Sequence, residues 1–437
     1  MKPLWRLWFY LVIFAAGLLV SAPGQGASPT ILSSKEFILP QEAEVGLDIE
    51  ARSPGASWAM KGAEASALLI EVDGQYNQDL ILWAGESSFV YRVMLGRLAS
   101  GKHRVSVRLN PARSAPGAQR AIVVALRPTP LSGNSERTPD DLLALAHAPV
   151  LYQRANTIDR FSDLPLLMYY EILHPNDREA LIRYTIIFTN EDGGTPTAAL
   201  MARWGRAADI EWAYEFRTVA GQIVEERYQA VAHETKPFKG ERINGAHPVL
   251  AVASDNNNFS DQARSSVRFA LLPVAADLHD ASRESVMDAN PWTYRAVAEE
   301  LSREGKLKDE PTDVNSISDP RNYLYVDLQA TQNATAIGVE AASAKQSTSS
   351  LSDWGNARLR IDRSGYFRTA IRMASFESAA SASSLTVRCY SAAHDCERVE
   401  VNSASVLDRN YRPRFFQIPH LPPRTLKPNE SLTIALR

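Results

Sequence analysis

The sequence predicts a mainly β protein built from an N-terminal jelly-roll-like β-sandwich, a central β-sandwich domain with a few helices, and a C-terminal β portion. Two observations predict it. Short runs of alternating apolar and polar residues recur along the chain, separated by Gly, Asp, Asn and Ser, which is the pattern of half-buried antiparallel strands. Only two segments carry clear helix start and stop signals. The 45% hydrophobic and 22% charged composition supplies enough apolar surface for sizeable cores, and excludes disordered and collagen-like chains. A length of 437 residues suits two or three domains.

Residues 1–26 read as a secretory signal peptide. Lys2 and Arg6 precede an apolar run from Leu7 to Val20, and small residues follow from Ser21 to Gly26, with cleavage expected near Gly26 or Ala27. The run is short for a membrane span; a retained N-terminal anchor is the alternative. The export signal places the protein in the periplasm or outside the cell. The formal charge is −3 (47 Lys+Arg, 50 Asp+Glu), and loss of the leader makes it −5 (45 against 50). A mildly acidic chain without a basic block is a poor partner for nucleic acid. No second apolar stretch reaches spanning length, so no integral membrane segment is expected after leader removal.

The first sandwich is expected over 30–127, from the runs LLIEVDGQY, DLILWAG, FVYRVML, HRVSVRL and AIVVALR. Its last part, LGRLASGKHRVSVRL, resembles carbohydrate-binding accessory modules. Trp58, Tyr76 and Trp83 are sugar-stacking candidates there, although aromatics in a small sandwich more commonly fill the core. PTPLSGNSER (Pro128 to Arg137) reads as a linker. A helix then opens with Thr138 as N-cap, Pro139 at its first position and Asp140 and Asp141 at the positive end of its dipole. The central domain, 138–340, continues with strand-like runs, among them LIRYTIIFTN, EWAYEFRTV and PVLAVAS. A second helix starts at Asn290-Pro291-Trp292 and stops at Gly305. Glu340 to Asp353 is small and polar, a loop. The strand-like runs of 354–437 either complete the central sheet or form a third sandwich. Cys389 and Cys396, with six residues between them and β-like runs on both sides, are expected to form a disulfide closing a hairpin loop.

Chemistry concentrates in Phe188 to Trp212, FTNEDGGTPTAALMARWGRAADIEW. A Gly-rich turn carries Asn190, Glu191 and Asp192. Asp209 and Glu211 follow at period-2 spacing, on one face of the next strand, about 6.5 to 7 Å apart at Cα. Such a pair can share a cation or act as general acid and base. The bland alternative is a solvated acidic face. A second oxygen-rich stretch, Ser254 to Asp261 (SDNNNFSD), follows the strand PVLAVAS and is either a ligand-binding loop or an ordinary turn. The cluster Asp277, His279 and Asp280 resembles a metal site only by composition, and His174 and His247 read as turn residues. The sequence has no Gly-x-Ser-x-Gly elbow, no His-Glu-x-x-His, no Walker loop and no Gly-x-Gly-x-x-Gly, which disfavours the familiar hydrolases and nucleotide binders.

Gly205-Arg206-Ala207-Ala208-Asp209-Ile210-Glu211-Trp212 resembles the Gly-(His)-x-x-Asp-Trp-Glu signature of the Vps-sixty-two family (vacuolar protein sorting type), and a similar heptad marks the Nep-like necrosis-inducing proteins. HAPVLY (His147 to Tyr152), RYQAVAHETKPF (Arg227 to Phe238) and GAHPVLAVASDNNNF (Gly245 to Phe259) are similar to family segments in the same order, over roughly residues 140 to 330. The resemblance implies a β-sandwich and a divalent cation, calcium or magnesium, held by Asp192, Asp209 and Glu211 near a surface that meets glycolipid. Arg206 stands where a His is expected and cannot ligate a metal. His233, one strand later, can restore a ligand, or Arg206 can pair with Asp209 or Glu211.

The expected function is therefore recognition of carbohydrate or glycolipid by an exported protein, through a polar pocket of Asp209, Glu211, Trp212, His233, Asp255 and Asn257, with a divalent cation as an optional cofactor. Two alternatives stand beside it: a polysaccharide hydrolase or lyase using Asp209 and Glu211, and a structural or interaction protein without a small-molecule site.

Overall fold

A computed structural model describes residues 30–437 apart from 134, 135, 192, 263, 312, 344–348, 354 and 355. The expected signal peptide, 1–26, and Asp192 lie outside the described residues. Strand makes up 47% and helix 13%, so the chain is mainly β as the alternating runs predict.

The N-terminal sandwich pairs two antiparallel sheets. One has the spatial order Ile31–Leu39, Gly101–Leu109, Ala67–Val72, Gln75–Ile81, and the other Phe89–Leu98, Ala43–Arg52, Ile122–Pro130. Alternation explains both. Val45, Leu47, Ile49 and Ala51 are fully buried along one strand, each two residues from the next, which is the inward face of a pleated ribbon. The VDGQ segment closes a two-residue hairpin, with Val72 opposite Gln75. Asp73 and Gly74 take φ of +52° and +79°, and Asp-Gly is a sequence that tolerates that turn. Trp58 and Trp83 fill the core. Tyr76 stays partly exposed under the Arg268 guanidinium, 4.6 Å from the ring centre.

In the central region a six-stranded sheet runs Thr235–Pro237, Gln222–Gln229, Asp209–Val219, Glu179–Phe188, Pro165–Asn176, Val274–Ala275. A smaller sheet holds Val150–Tyr152 parallel to His247–Val252. Both of those strands are buried along their whole length, as continuous apolar runs in a covered sheet should be. The helix Pro139–Ala146 begins as expected: Thr138 Oγ1 accepts from the Asp141 amide at 3.1 Å, and the Asp141 carboxylate accepts from the Thr138 amide at 2.8 Å. The second expected helix, Trp292–Arg303, buries Tyr294, Val297 and Leu301. His247, read as a turn residue, is instead a buried strand residue, with its ring nitrogens on the Ala148 carbonyl at 2.8 Å and Glu44 at 3.0 Å.

The C-terminal strands form two further sheets around a core of their own. Tyr323–Thr331 pairs with Gly365–Arg372 and Cys396–Leu407, and Ala336–Ser343 pairs with Ala382–Tyr390. Residues 323–340, expected in the central domain, have their ladder partners among the C-terminal strands. Cys389 and Cys396 are bonded as expected. The expected hairpin is corrected: Ala382–Tyr390 and Cys396–Leu407 belong to different sheets, so the bridge ties two sheets together across their connecting turn. Alternation in a sequence identifies strands but not their partners. Among the described residues no helix is long and apolar enough to cross a membrane.

The three sections share packing. The largest buried cluster runs from Leu39 through Tyr169, Ile210 and Tyr294 to Leu407. Trp83 stacks on Trp292 with ring centres 5.1 Å apart, and Trp58 Nε1 donates to Glu300 Oε2 at 3.2 Å.

Candidate functional site

The strand Asp209–Val219 lies antiparallel to Glu179–Phe188, with Asp209 opposite Phe188 and Glu211 opposite Ile186. Asp209 and Glu211 therefore share a face at one end of the six-stranded sheet. The turn after Phe188 brings Asn190 and Glu191 to the same end. An unforeseen helix, Thr197–Trp204, fills the rest of the connection, stopped by Gly205 in the left-handed conformation at φ +63°. The sequence signal for it was present: TAALMARW followed by Gly is a helix with a glycine stop.

The loop 254–258 folds over this end. Asn257 Nδ2 donates to Asp209 Oδ2 at 3.0 Å and to the Asn190 carbonyl at 3.2 Å. Gly193 N donates to the Asp255 carbonyl at 2.9 Å. A side chain at Gly194, φ +101°, would collide with Glu191 and Asn256, so this close approach requires glycine. The two oxygen-rich stretches of the sequence thus meet in one place. His233 joins them: its Nδ1 is 3.6 Å from Glu211 Oε2 and 2.7 Å from the Gln229 carboxamide, and its Nε2 is 2.9 Å from that of Asn256. Ala232, His233 and Asn257 all have φ between +46° and +62°, a conformation that costs energy outside glycine and gathers at functional sites.

Three carboxylates share this neighbourhood with little compensation. Asp209 is buried, and burial, then the negative charges of Glu211 and Glu191, push its carboxyl well above the ordinary carboxylate range against the pull of Arg206 and the Asn257 hydrogen bond. Glu191 is raised for the same first reason, desolvation, although the Thr195 amide donates to it at 2.6 Å. The Glu211 hydrogen bond and charge raise the His233 imidazole. Among the described residues Asn257 Oδ1 is buried without a hydrogen-bond partner, an acceptor that costs free energy until something donates to it.

Arg206 resolves the question its position raises. Its Nε donates to Glu284 Oε1 at 3.0 Å, and its Nη1 is 3.8 Å from Asp209 Oδ1. Glu284, 78 residues away, is the main counter-ion; the sequence offered no sign of it. Among the described residues no group of three or more His, Cys, Asp or Glu is placed to hold a metal ion, and a guanidinium beside Asp209 opposes one. The described side chains alone do not make a cation site.

Two predicted residues sit apart from the cluster. Asp255 is exposed and pairs through its carboxylate with Arg154, which also holds Asp163. Trp212 alternates to the other face of the strand from Glu211, with the Arg183 guanidinium 5.5 Å from its ring centre. Asp277, His279 and Asp280 lie outside the cluster: Asp277 accepts from the His279 amide at 3.1 Å, and Asp280 accepts from the hydroxyl of Tyr366, 86 residues away, at 2.8 Å. The chain matches no protein-family model and no curated relative.

Proposed function

We propose that this protein is exported and recognises a carbohydrate or the sugar head of a glycolipid at the Glu191, Asp209, Glu211 and His233 cluster, using the loop 254–258 as its rim. The observation that supports this reading best is the meeting of Glu211, His233 and Asn256 at the outer edge of the cluster, which is open to solvent at His233, whose side chain is 51% exposed. Sugar hydroxyls donate to carboxylates and carboxamide oxygens and accept from imidazole and amide N–H groups, so the mixture of groups suits a polyhydroxylated ligand. The ordered resemblance to the Vps-sixty-two and Nep-like proteins points the same way, and the disulfide fits an oxidising compartment. A divalent cation would need Asp192 as a further ligand to Asp209 and Glu211.

Binding is favoured over hydrolysis by the burial of Asp209, which is 2% exposed. A general acid must reach the oxygen it protonates, and Asp209 is covered by Asn257 and Arg206. A glycolipid overlay run beside a reducing-end release assay on mixed polysaccharides separates the two. The expected result is retention on a subset of glycolipids, lost in Glu211→Gln, without sugar release. Sugar release that disappears in Glu211→Gln would replace the binding reading with the hydrolase one.

A further inference from the structure

A lysine, an asparagine and a glutamate meet where the helix Trp292–Arg303 ends against the turn that follows Glu179–Phe188. Lys306 Nζ donates to Asn190 Oδ1 at 3.2 Å and lies 2.7 Å from Glu304 Oε2. Asn190 Nδ2 donates to that same Glu304 oxygen at 3.0 Å. One carboxylate oxygen therefore touches both nitrogens, the amine and the carboxamide, while the amine touches the carboxamide oxygen. The other carboxylate oxygen accepts from the Ser162 hydroxyl at 3.3 Å, which sets the direction of the first.

Both backbones are held. Lys306 N donates to the Leu301 carbonyl at 2.8 Å and Ile317 N to the Lys306 carbonyl at 2.9 Å, and Leu301 and Ile317 are fully buried. On the other side Thr189 N donates to the Leu164 carbonyl at 2.9 Å, and the Asn190 carbonyl accepts from Asn257 Nδ2 at 3.2 Å. Asn190 is 1% exposed, whereas the Lys306 and Glu304 side chains are 24% and 23% exposed, an opening through which a small leaving group can escape. Lys308 shows the ordinary alternative: it meets Asp313 with both side chains near the half-exposed mark, a surface pair of little energetic worth. An amine and a carboxamide held in contact by a packed scaffold react as parts of one molecule, which removes much of the entropic barrier to joining them.

We propose that Lys306 and Asn190 condense into an intramolecular isopeptide bond, with Glu304 as the proton carrier. Glu304 Oε2 takes a proton from the Lys306 ammonium, and the freed amine attacks Asn190 Cγ, one bond beyond the oxygen it already touches. The Nζ–Cγ bond forms and the Cγ–Nδ2 bond breaks. Glu304 passes its proton to Nδ2, which leaves as ammonia, and then takes the second proton shed by the new amide nitrogen and releases it to solvent. No electrons are transferred, so the step needs no oxidant or reductant. The product ties the turn that carries Glu191 covalently to the end of the helix. Mass spectrometry of the purified, reduced protein, intact and as a tryptic map, tests this. The expected result is a mass about 17 Da, one ammonia, below that of the processed chain, with a single peptide joining Asn190 to Lys306. Lys306→Arg, which keeps the charge, and Glu304→Gln should each restore the full mass and separate the two peptides. A wild type at full mass overturns the proposal whether or not the variants fold, and so does a deficit that maps elsewhere or that Lys306→Arg retains. A bond that still forms in Glu304→Gln overturns the role given to Glu304. None of these results bears on the glycan reading, which rests on other residues.

Discussion

At the residue scale the acidic cluster is an arrangement of unequal carboxyl groups around one imidazole. Asp209 is buried deeply enough to favour its neutral form, whereas Glu211 faces His233 and holds the ring toward its charged form. A histidine whose folded pKa is raised lends stability below its ordinary 6.5 and loses it as pH rises through the folded value; with the ring half exposed, solvent screening keeps that contribution small. Proton NMR titration of the His233 ring should therefore give a midpoint above 6.5, and Glu211→Gln should bring it back toward 6.5. An unchanged midpoint in the variant would dissociate the pair. Period-2 spacing made the shared face of Asp209 and Glu211 legible in the sequence. The partner of Arg206 was not legible, because Glu284 reaches it only through tertiary closure.

At the scale of elements, the strand runs and two capped helices were readable because their signals are local: alternation, Thr138 and Pro139 at a start, Gly305 at a stop. Strand partners are not local, and this is why Cys389 and Cys396 were expected to close a hairpin and instead join two sheets. Trp212 is a different case: the period-2 alternation that puts Asp209 and Glu211 on one face of their strand puts Trp212 on the other, so its separation from the cluster was legible in the sequence. The bridge closes a loop with a sequence separation of 7, for which chain entropy gives about 2.5 kcal/mol. The Cys389→Ala, Cys396→Ala double variant should lose about that much in denaturant unfolding. A loss near zero would mean that the turn is already constrained in the unfolded chain.

Across the whole molecule, the joint between the N-terminal sandwich and the helix Trp292–Arg303 carries a buried acid. Glu300 is fully buried, accepts from Trp58 Nε1 and from the Asp163 amide, both at 3.2 Å, and burial with the nearby Glu304 pushes its carboxyl up to about 7. The folded state thus prefers the protonated form. Stability from this group is full below about 4.5 and falls as pH rises through about 7, by roughly 3 kcal/mol for a shift of this size. Melting temperatures measured from pH 4.5 to 8 should fall in the wild type and fall less in Glu300→Gln; parallel curves would remove Glu300 as the cause. The shared core explains why a change at this joint should be felt throughout, since one buried cluster spans all three sections. The central claim, however, concerns the other end of the six-stranded sheet, where Asp209, Glu211, His233 and the loop 254–258 meet. A glycan array probed with the wild type and with Glu211→Gln and Asn256→Ala tests it most directly. Selective binding by the wild type to a small set of glycans, lost in both variants at unchanged melting temperature, is the expected result; no binding, or binding that both variants retain, would contradict it.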